Sequence, residues 1–229
     1  MRIAVFGGTG RVGSRLIALA RAAGYSVSAL ARDPARLPAG LVETVVAGDV
    51  TDPAAVLATL SGTDAVLSAL GGGPPAQPGT TLSSGCRHIV QAMQRAGVRR
   101  ILAVAGSGVL DHPDGGLRGD APDFPSIYRA INAEHLGTYR GLQESPLEWT
   151  LLCCPDLVDA EPRGRYRVTA DRLPDGAGSI ATGDVAHCLL RELPRTTFVR
   201  RRIGIATDSR PGASATPAAD VADVAPFQR

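Results

Sequence analysis

The chain begins with a short apolar run, RIAVF, that passes straight into GGTGRVGSRL. A strand-like segment, a glycine cluster and then helix-spaced apolar residues constrain the fold more tightly than any other stretch. Gly8, Gly10 and Gly13 fit G-x-G-x-x-G, and Gly7, Gly10 and Gly13 fit the looser G-x-x-G-x-x-G. Alone such a match says little; between a strand and a helix at the head of an alternating chain it says much more. Glycines permit the tight turn and let the backbone approach a pyrophosphate, whose charge then meets the N-terminus of the helix. The stretch Gly7, Gly8, Thr9, Gly10, Arg11, Val12 and Gly13 is accordingly expected to cradle a dinucleotide, the alternative being a glycine-rich turn that holds nothing.

The rest of the chain continues the alternation. YSVSAL, VETVVAG, TDAVLSALG, RRILAVAG and EWTLLCC are short, rich in β-branched residues and bounded by Gly, Asp or Pro. Between the strands, RVGSRLIALARAAG, DPAAVLATLSG, TTLSSGCRHIVQAMQRAG and SIYRAINAEHLGTYRGLQES carry helical spacing, and several end at glycine. The expected fold is α/β: a Rossmann-like, doubly wound parallel sheet with helices on both faces. After Pro155 the pattern loosens into turns, a short helix near 182–193 and a strand, RRRIGIAT. Residues 1–207 are expected to form one domain, and the Ala- and Pro-rich stretch 208–229 a loose tail.

Composition bears on the partners. At 229 residues, 44% hydrophobic and 20% charged, the chain suits a globular protein with a sizeable core. Its net charge of +2 is too mild to point to nucleic acid. No apolar run reaches the roughly eighteen residues of a membrane span, and the start lacks the pattern of a signal peptide. Cys86, Cys153, Cys154 and Cys188 form no CxxC or Cys/His cluster. No metal site is expected, and the thiols read as reduced in a cytoplasmic protein. The expected partner is a small-molecule substrate, and the protein a monomer or homodimer.

The second strand ends in ALARDPARL. In NAD-preferring folds an acid at this strand end takes the ribose 2′-hydroxyl. Here Arg32 stands there, with Arg36 one helical turn further, and guanidinium groups suit a 2′-phosphate. Asp33 either pairs with Arg32 or favours NAD, and both arginines have the simpler alternative of being solvated loop charges. NADPH is the expected cofactor, with NADH as the alternative.

Several segments together resemble one group. GGTGRVG, ARDPARL, VVAGDVTDPAAVLATLSGTDAVLSALG, HIVQAMQRAGVRRILAVAG and LEWTLLCCPDLVD are similar to the atypical short-chain dehydrogenase/reductases with an NAD(P)-binding, NmrA-like fold. Within these the chain most resembles the flavin reductase/biliverdin reductase B type, over roughly residues 1–207. The resemblance implies adenine contacts from Asp49 and Val50, and a wall beside the nicotinamide ribose from Ala69, Leu70 and Gly71. Three departures stand out. Ala105-Gly106-Ser107 keeps one hydroxyl where many relatives have two; Tyr128 and Asn132 stand where relatives carry Tyr-x-x-x-Lys; Cys154-Pro155-Asp156 replaces Arg-Pro. The whole chain contains no lysine.

At about 100° per residue, Tyr128, Asn132, His135 and Tyr139 fall within a roughly 60° arc of one helix. Ile131 and Leu142 lie near that arc and Ile127 a little further round, so the face is expected to point inward. Ser107, Tyr128, Asn132, His135 and Asp156 are the candidate catalytic residues; for each the alternative is a local bonding or capping role. Reducing a ketone creates an alkoxide and needs a placed acid, helped by a cation that lowers the tyrosine pKa. Asn132 can orient Tyr128 but cannot supply that charge. Hydride transfer to a flavin or quinone is less demanding, because the resulting charge is delocalised. The expected function is therefore an NADPH-dependent oxidoreductase acting on a flavin, quinone or conjugated carbonyl. The alternatives are an NmrA-like dinucleotide sensor and a non-redox isomerase or dehydratase using Asp156 and His135. The stretch GSGVLDHPDGGLRGDAPDF reads as a substrate lid beside the same sheet edge.

Overall fold

The computed structural model describes residues 1–208. All but the first residue of the expected tail therefore lies outside the described residues. At the centre is β1 (Arg2–Phe6). Ile3 and Val5 face one hydrophobic cluster and Ala4 and Phe6 the other, all fully buried. This two-residue period with both faces apolar is what a strand covered by helices on both sides requires.

The strands β2 (Ser26–Ala31), β3 (Thr44–Ala47), β4 (Ala65–Ser68), β5 (Arg100–Gly106) and β6 (Glu148–Cys154) follow in chain order. The later strands are β7 (Asp156–Val158), β8 (Tyr166–Ala170), β9 (Ser179–Ala181) and β10 (Arg201–Thr207). Among the described residues, eight form one sheet in the order β3-β2-β1-β4-β5-β6-β10-β8, parallel except where β8 runs against β10. Strands β7 and β9 pair separately. The helices are α1 (Arg11–Ala22), α2 (Pro53–Thr59), α3 (Thr81–Ala96), α4 (Arg129–Gln143) and α5 (Thr182–Arg195). Helices α1 and α5 cover one face through Leu16, Ile17, Val185 and Leu189; α2, α3 and α4 cover the other through Val56, Ile89, Met93 and Leu142.

Local chemistry explains several boundaries. Asp52 accepts the Ala54 N–H at 2.9 Å and Pro53 opens α2, a side-chain cap followed by a residue with no N–H to satisfy. Gly97 ends α3 in the left-handed region at φ 72°. The start of α3 is held from another helix: the Glu134 carboxylate accepts the Ser83 N–H at 3.1 Å and the Ser83 hydroxyl at 2.9 Å.

The doubly wound sheet is as expected, and the region after Pro155 is more ordered than its turns suggested, since it supplies β7, β8 and β9. Strand β4 is shorter than TDAVLSALG implied. Ala69 still donates to the Phe6 carbonyl at 2.8 Å, after which the chain leaves the sheet. The strand order reverses between β1 and β4, and their C-terminal ends open a crevice of the kind that holds ligands in such sheets.

Candidate functional site

The crevice is built around glycines that have no room for a side chain. Gly7 sits at φ 79°, and a Cβ there would overlap the Ala69 carbonyl. A Cβ on Gly13 would overlap the Gly7 carbonyl, and one on Gly8 would come within 2.8 Å of the Ile17 side chain. The turn and the first helix are thus packed backbone to backbone. Gly10 is the N-cap of α1; no side chain caps that helix, and its first turn holds no acid. The first backbone N–H groups of α1 have no intrahelical acceptor and remain available to an anion.

In front of this cradle lies a cleft of about 450 Å³. Gly7, Thr9, Gly10, Arg11 and Val12 form its floor, Arg32, Arg36, Asp49 and Val50 one end, and Ala69, Leu70 and Gly71 a wall. Gly8 and Gly13 stand behind the lining and set its shape through the packing just described. A cleft of this size against an uncapped helix start, shaped by glycines whose Cβ atoms would displace the loop, fits a pyrophosphate-bearing dinucleotide.

At the Arg32 end the charges are sorted. Asp33 neither pairs with Arg32 nor faces the cleft. Its carboxylate accepts the Ala35 N–H at 3.1 Å and caps the 3₁₀ turn Pro34–Arg36. Arg32 is exposed, with Nε 3.8 Å from Asp49. Thr51 gives Asp49 its N–H at 2.9 Å and its hydroxyl at 2.7 Å, which with Arg32 holds the Asp49 carboxyl below its usual range.

Sequence reasoning passed over several lining residues. Phe6, Ala31 and Val104 lie at or near the C-terminal ends of β1, β2 and β5, where the crevice rule itself points. Leu157 also lines the cleft, and no local signal marked it because β7 was not legible. Its segment is tied to α1 by Arg15, which bridges Asp159 at 2.7 Å and Glu161 at 3.0 Å.

The five candidate catalytic residues separate into two groups. Tyr128 ends the 3₁₀ turn Ser126–Tyr128 just before α4, and its hydroxyl donates to Asp156 Oδ1 at 3.1 Å. The Asp156 carboxylate pushes the phenol pKa up, opposite to the effect of a lysine. Asp156 is exposed and adjoins the cleft-lining Leu157 in the chain, so the pair stands at the rim, outside the lining itself.

The other three lie at the junction of α4 with the end of β5. The Asn132 amide lies against Gly108 and Gly119, where any Cβ would overlap it, and its Oδ1 is buried without a partner. It therefore packs against the loop that follows β5, and the Tyr128 hydroxyl is bonded to Asp156 instead. The His135 ring packs against Gly106, and burial lowers its pKa to about 4, leaving it neutral near pH 7. Ser107 opens the 3₁₀ turn Ser107–Val109 directly after β5.

The inward face is also partly revised. Ile127 is 57% exposed because its turn precedes the helix, whereas Leu142 is fully buried. Tyr139 supports the core: it meets Trp149 edge to face, and the Arg202 guanidinium lies 4.9 Å above its ring. Arg202 also donates to the Val109 carbonyl at 2.7 Å and to Asp111 at 2.8 Å, anchoring the base of the expected lid. The four cysteines are free and buried. Among the described residues no His, Cys, Asp or Glu cluster suits a metal, and no helix is long and apolar enough to cross a membrane.

A family model described as NAD(P)H-binding matches residues 7–196, from the glycine loop through α5. The chain belongs to this NAD(P)H-binding family. It is 33% identical over 210 residues to a 3-diazoavenalumate denitrifying reductase from a Streptomyces species, covering 82% of this chain and 68% of that one. A crystal structure of a Burkholderia pseudomallei protein superimposes with TM-score 0.77 at 32% identity, over 90% of this chain and 99% of that one. A Streptococcus pneumoniae structure, described as a candidate NADH-flavin reductase, shares the fold with TM-score 0.76 at 23% identity, over 91% and 100% of the two chains. The family fits the resemblance to atypical, NmrA-like short-chain dehydrogenase/reductases read from the sequence. The chain is accordingly an oxidoreductase-like protein whose cofactor is a nicotinamide dinucleotide.

Proposed function

We propose that this protein is an NADPH-dependent oxidoreductase that reduces a conjugated small molecule, such as a flavin or quinone. The observation that carries the choice of cofactor is the division of roles at the second strand end. Asp33 is engaged in capping its own turn, while Arg32 and Arg36 line the cleft. Two guanidinium groups there suit a 2′-phosphate, and the Asp33 carboxylate does not line the cleft. The backbone of Gly7–Gly13 would hold the pyrophosphate, Asp49 and Val50 the adenine, and Ala69, Leu70 and Gly71 the nicotinamide ribose. When bound, the reduced nicotinamide supplies the hydride.

The protein's own part in the reaction is placement more than acid catalysis. No lysine accompanies Tyr128, Asn132 faces the lid, and His135 is held neutral. Val104 and Leu157 offer apolar walls for a flat acceptor at the nicotinamide end. Such a site favours acceptors whose reduction spreads the charge over a conjugated frame, with protons arriving from water. The reductase name carried by the Streptomyces relative agrees with this reading. The test is calorimetric titration with NADPH and NADH, followed by an NADPH oxidation assay against flavins and menadione. Tighter NADPH binding and steady oxidation are expected. NADPH binding without turnover on any acceptor would instead favour a dinucleotide-binding regulator.

A further inference from the structure

The direction of the Tyr128–Asp156 hydrogen bond bears on what the acceptor presents to the rim. A phenol has one O–H and a carboxylate has none. With the Tyr128 proton donated to Asp156 at 3.1 Å, both groups offer only lone pairs to anything that approaches. Three α4 side chains that follow Tyr128 are directed elsewhere. Asn132 is turned against Gly108 and Gly119. Arg129 directs its guanidinium to the carbonyls of Gly119, Ala121 and Phe124, at 3.5, 3.2 and 3.4 Å. The His135 ring is packed against Gly106. Beside the pair in sequence, Ile127 and Val158 expose apolar side chains, at 57% and 50%.

We infer that this rim is a recognition subsite for a conjugated organic cation carrying an N–H, of the iminium class. Its N–H donates to Asp156 and Tyr128, and its apolar frame lies over Ile127 and Val158. A cationic N–H donor gains charge-assisted bonds to both acceptors, an advantage that a neutral carbonyl does not share. The chemistry suits a site without a strong acid. As hydride forms the new C–H bond, the C=N π pair moves to nitrogen as its lone pair. The nicotinamide is oxidised, the iminium is reduced to a neutral amine, and no proton is required.

The role of this cation as a hydride acceptor rests on the reductase reading, so its binding is tested apart from turnover. Calorimetry with the tetrahydroisoquinolinium ion, which cannot be reduced further, is run with and without NADP⁺ and compared with the neutral ketone tetralone. The cation is expected to bind at least about tenfold more tightly than tetralone, and Asp156→Asn and Tyr128→Phe to erode that ratio. Both substituted side chains stand at the surface, and thermal unfolding checks that the variants fold. No binding of the cation, or an unchanged ratio in Asp156→Asn, overturns the subsite. Oxidation of NADPH by the dihydroisoquinolinium ion and by menadione is then measured. Cation binding without oxidation by either acceptor overturns the reductase reading and leaves the subsite standing. Oxidation by menadione with no cation binding does the reverse.

Discussion

The two ends of the cleft are built from different materials. At the glycine loop the walls are backbone: Gly7 against the Ala69 carbonyl, Gly13 against the Gly7 carbonyl, and a helix start with no side-chain cap. At the rim the contacts are side chains in contact with solvent, a single Tyr128–Asp156 bond between two exposed apolar residues. A backbone-walled pocket tolerates little variation, because an atom added at Gly7 or Gly13 meets a carbonyl that cannot move aside. A side-chain rim can be rewritten one residue at a time without disturbing the sheet. This division lets one fold keep its cofactor while changing its substrate.

The most severe way to break this contrast is Gly13→Val. The branched side chain would overlap the Gly7 carbonyl, so the Kd for NADPH should rise at least about a hundredfold, read by calorimetry beside a circular dichroism spectrum. Retained affinity would mean that the loop is not backbone-walled.

Acidification probes the support beneath the rim. His135 has a folded pKa of about 4 against 6.5 for an ordinary imidazole, so between these values the unfolded chain takes up a proton that the folded chain refuses. Stability should therefore be full above about pH 6.5 and fall by about 3 kcal/mol as pH drops toward 4. His135→Gln should flatten that part of the denaturation profile. A profile as steep as that of the unsubstituted protein would place the imidazole in water.

Arg32→Ala combined with Arg36→Ala should weaken NADPH about tenfold to a hundredfold and NADH less than about threefold, measured by competitive titration. Equal losses for both would remove the 2′-phosphate assignment. Smaller still, Asp33→Ala should cost about 1 kcal/mol through the lost cap, a fall of about 2–4 °C in Tm, and leave the ratio of NADPH to NADH affinity in place. A marked swing in that ratio would mean that the carboxylate faces the ribose after all. Tyr128→Phe should have the mildest effect, slowing turnover less than about tenfold in steady-state assays, because an exposed pair contributes little binding energy. A loss of several orders of magnitude would make Tyr128 an essential acid and the rim as demanding as the loop.

The glycine loop was readable in advance because its constraints are local: strand, turn and helix start are contiguous, and each glycine is required by a neighbour a few residues away. Lining by Arg32 and Arg36 followed from their position at and after the second strand end, and lining by Asp49 and Val50 from the family resemblance. The candidate catalytic stripe was legible only as an arc of one helix. Tyr128 proved to precede that helix, Asn132 turned to two glycines of the loop after β5, and the partner of Tyr128 came from 28 residues downstream. Helical periodicity can say which residues share a face, but not which other segment meets that face.

The amino-acid sequence by itself determined the doubly wound sheet, the glycine loop before α1 and the absence of a lysine beside Tyr128. Each depends on residue type and short-range spacing, which the chain carries whatever its neighbours do. Only the tertiary structure decided that Asp33 caps its own turn, that Leu157 walls the cleft, and that Arg15 ties the segment after Leu157 to α1. It alone also aimed the Tyr128 proton at Asp156. These are choices among partners far apart in the chain. A hydrogen-bond donor or a guanidinium has many acceptors open to it until packing brings one within reach and excludes the rest.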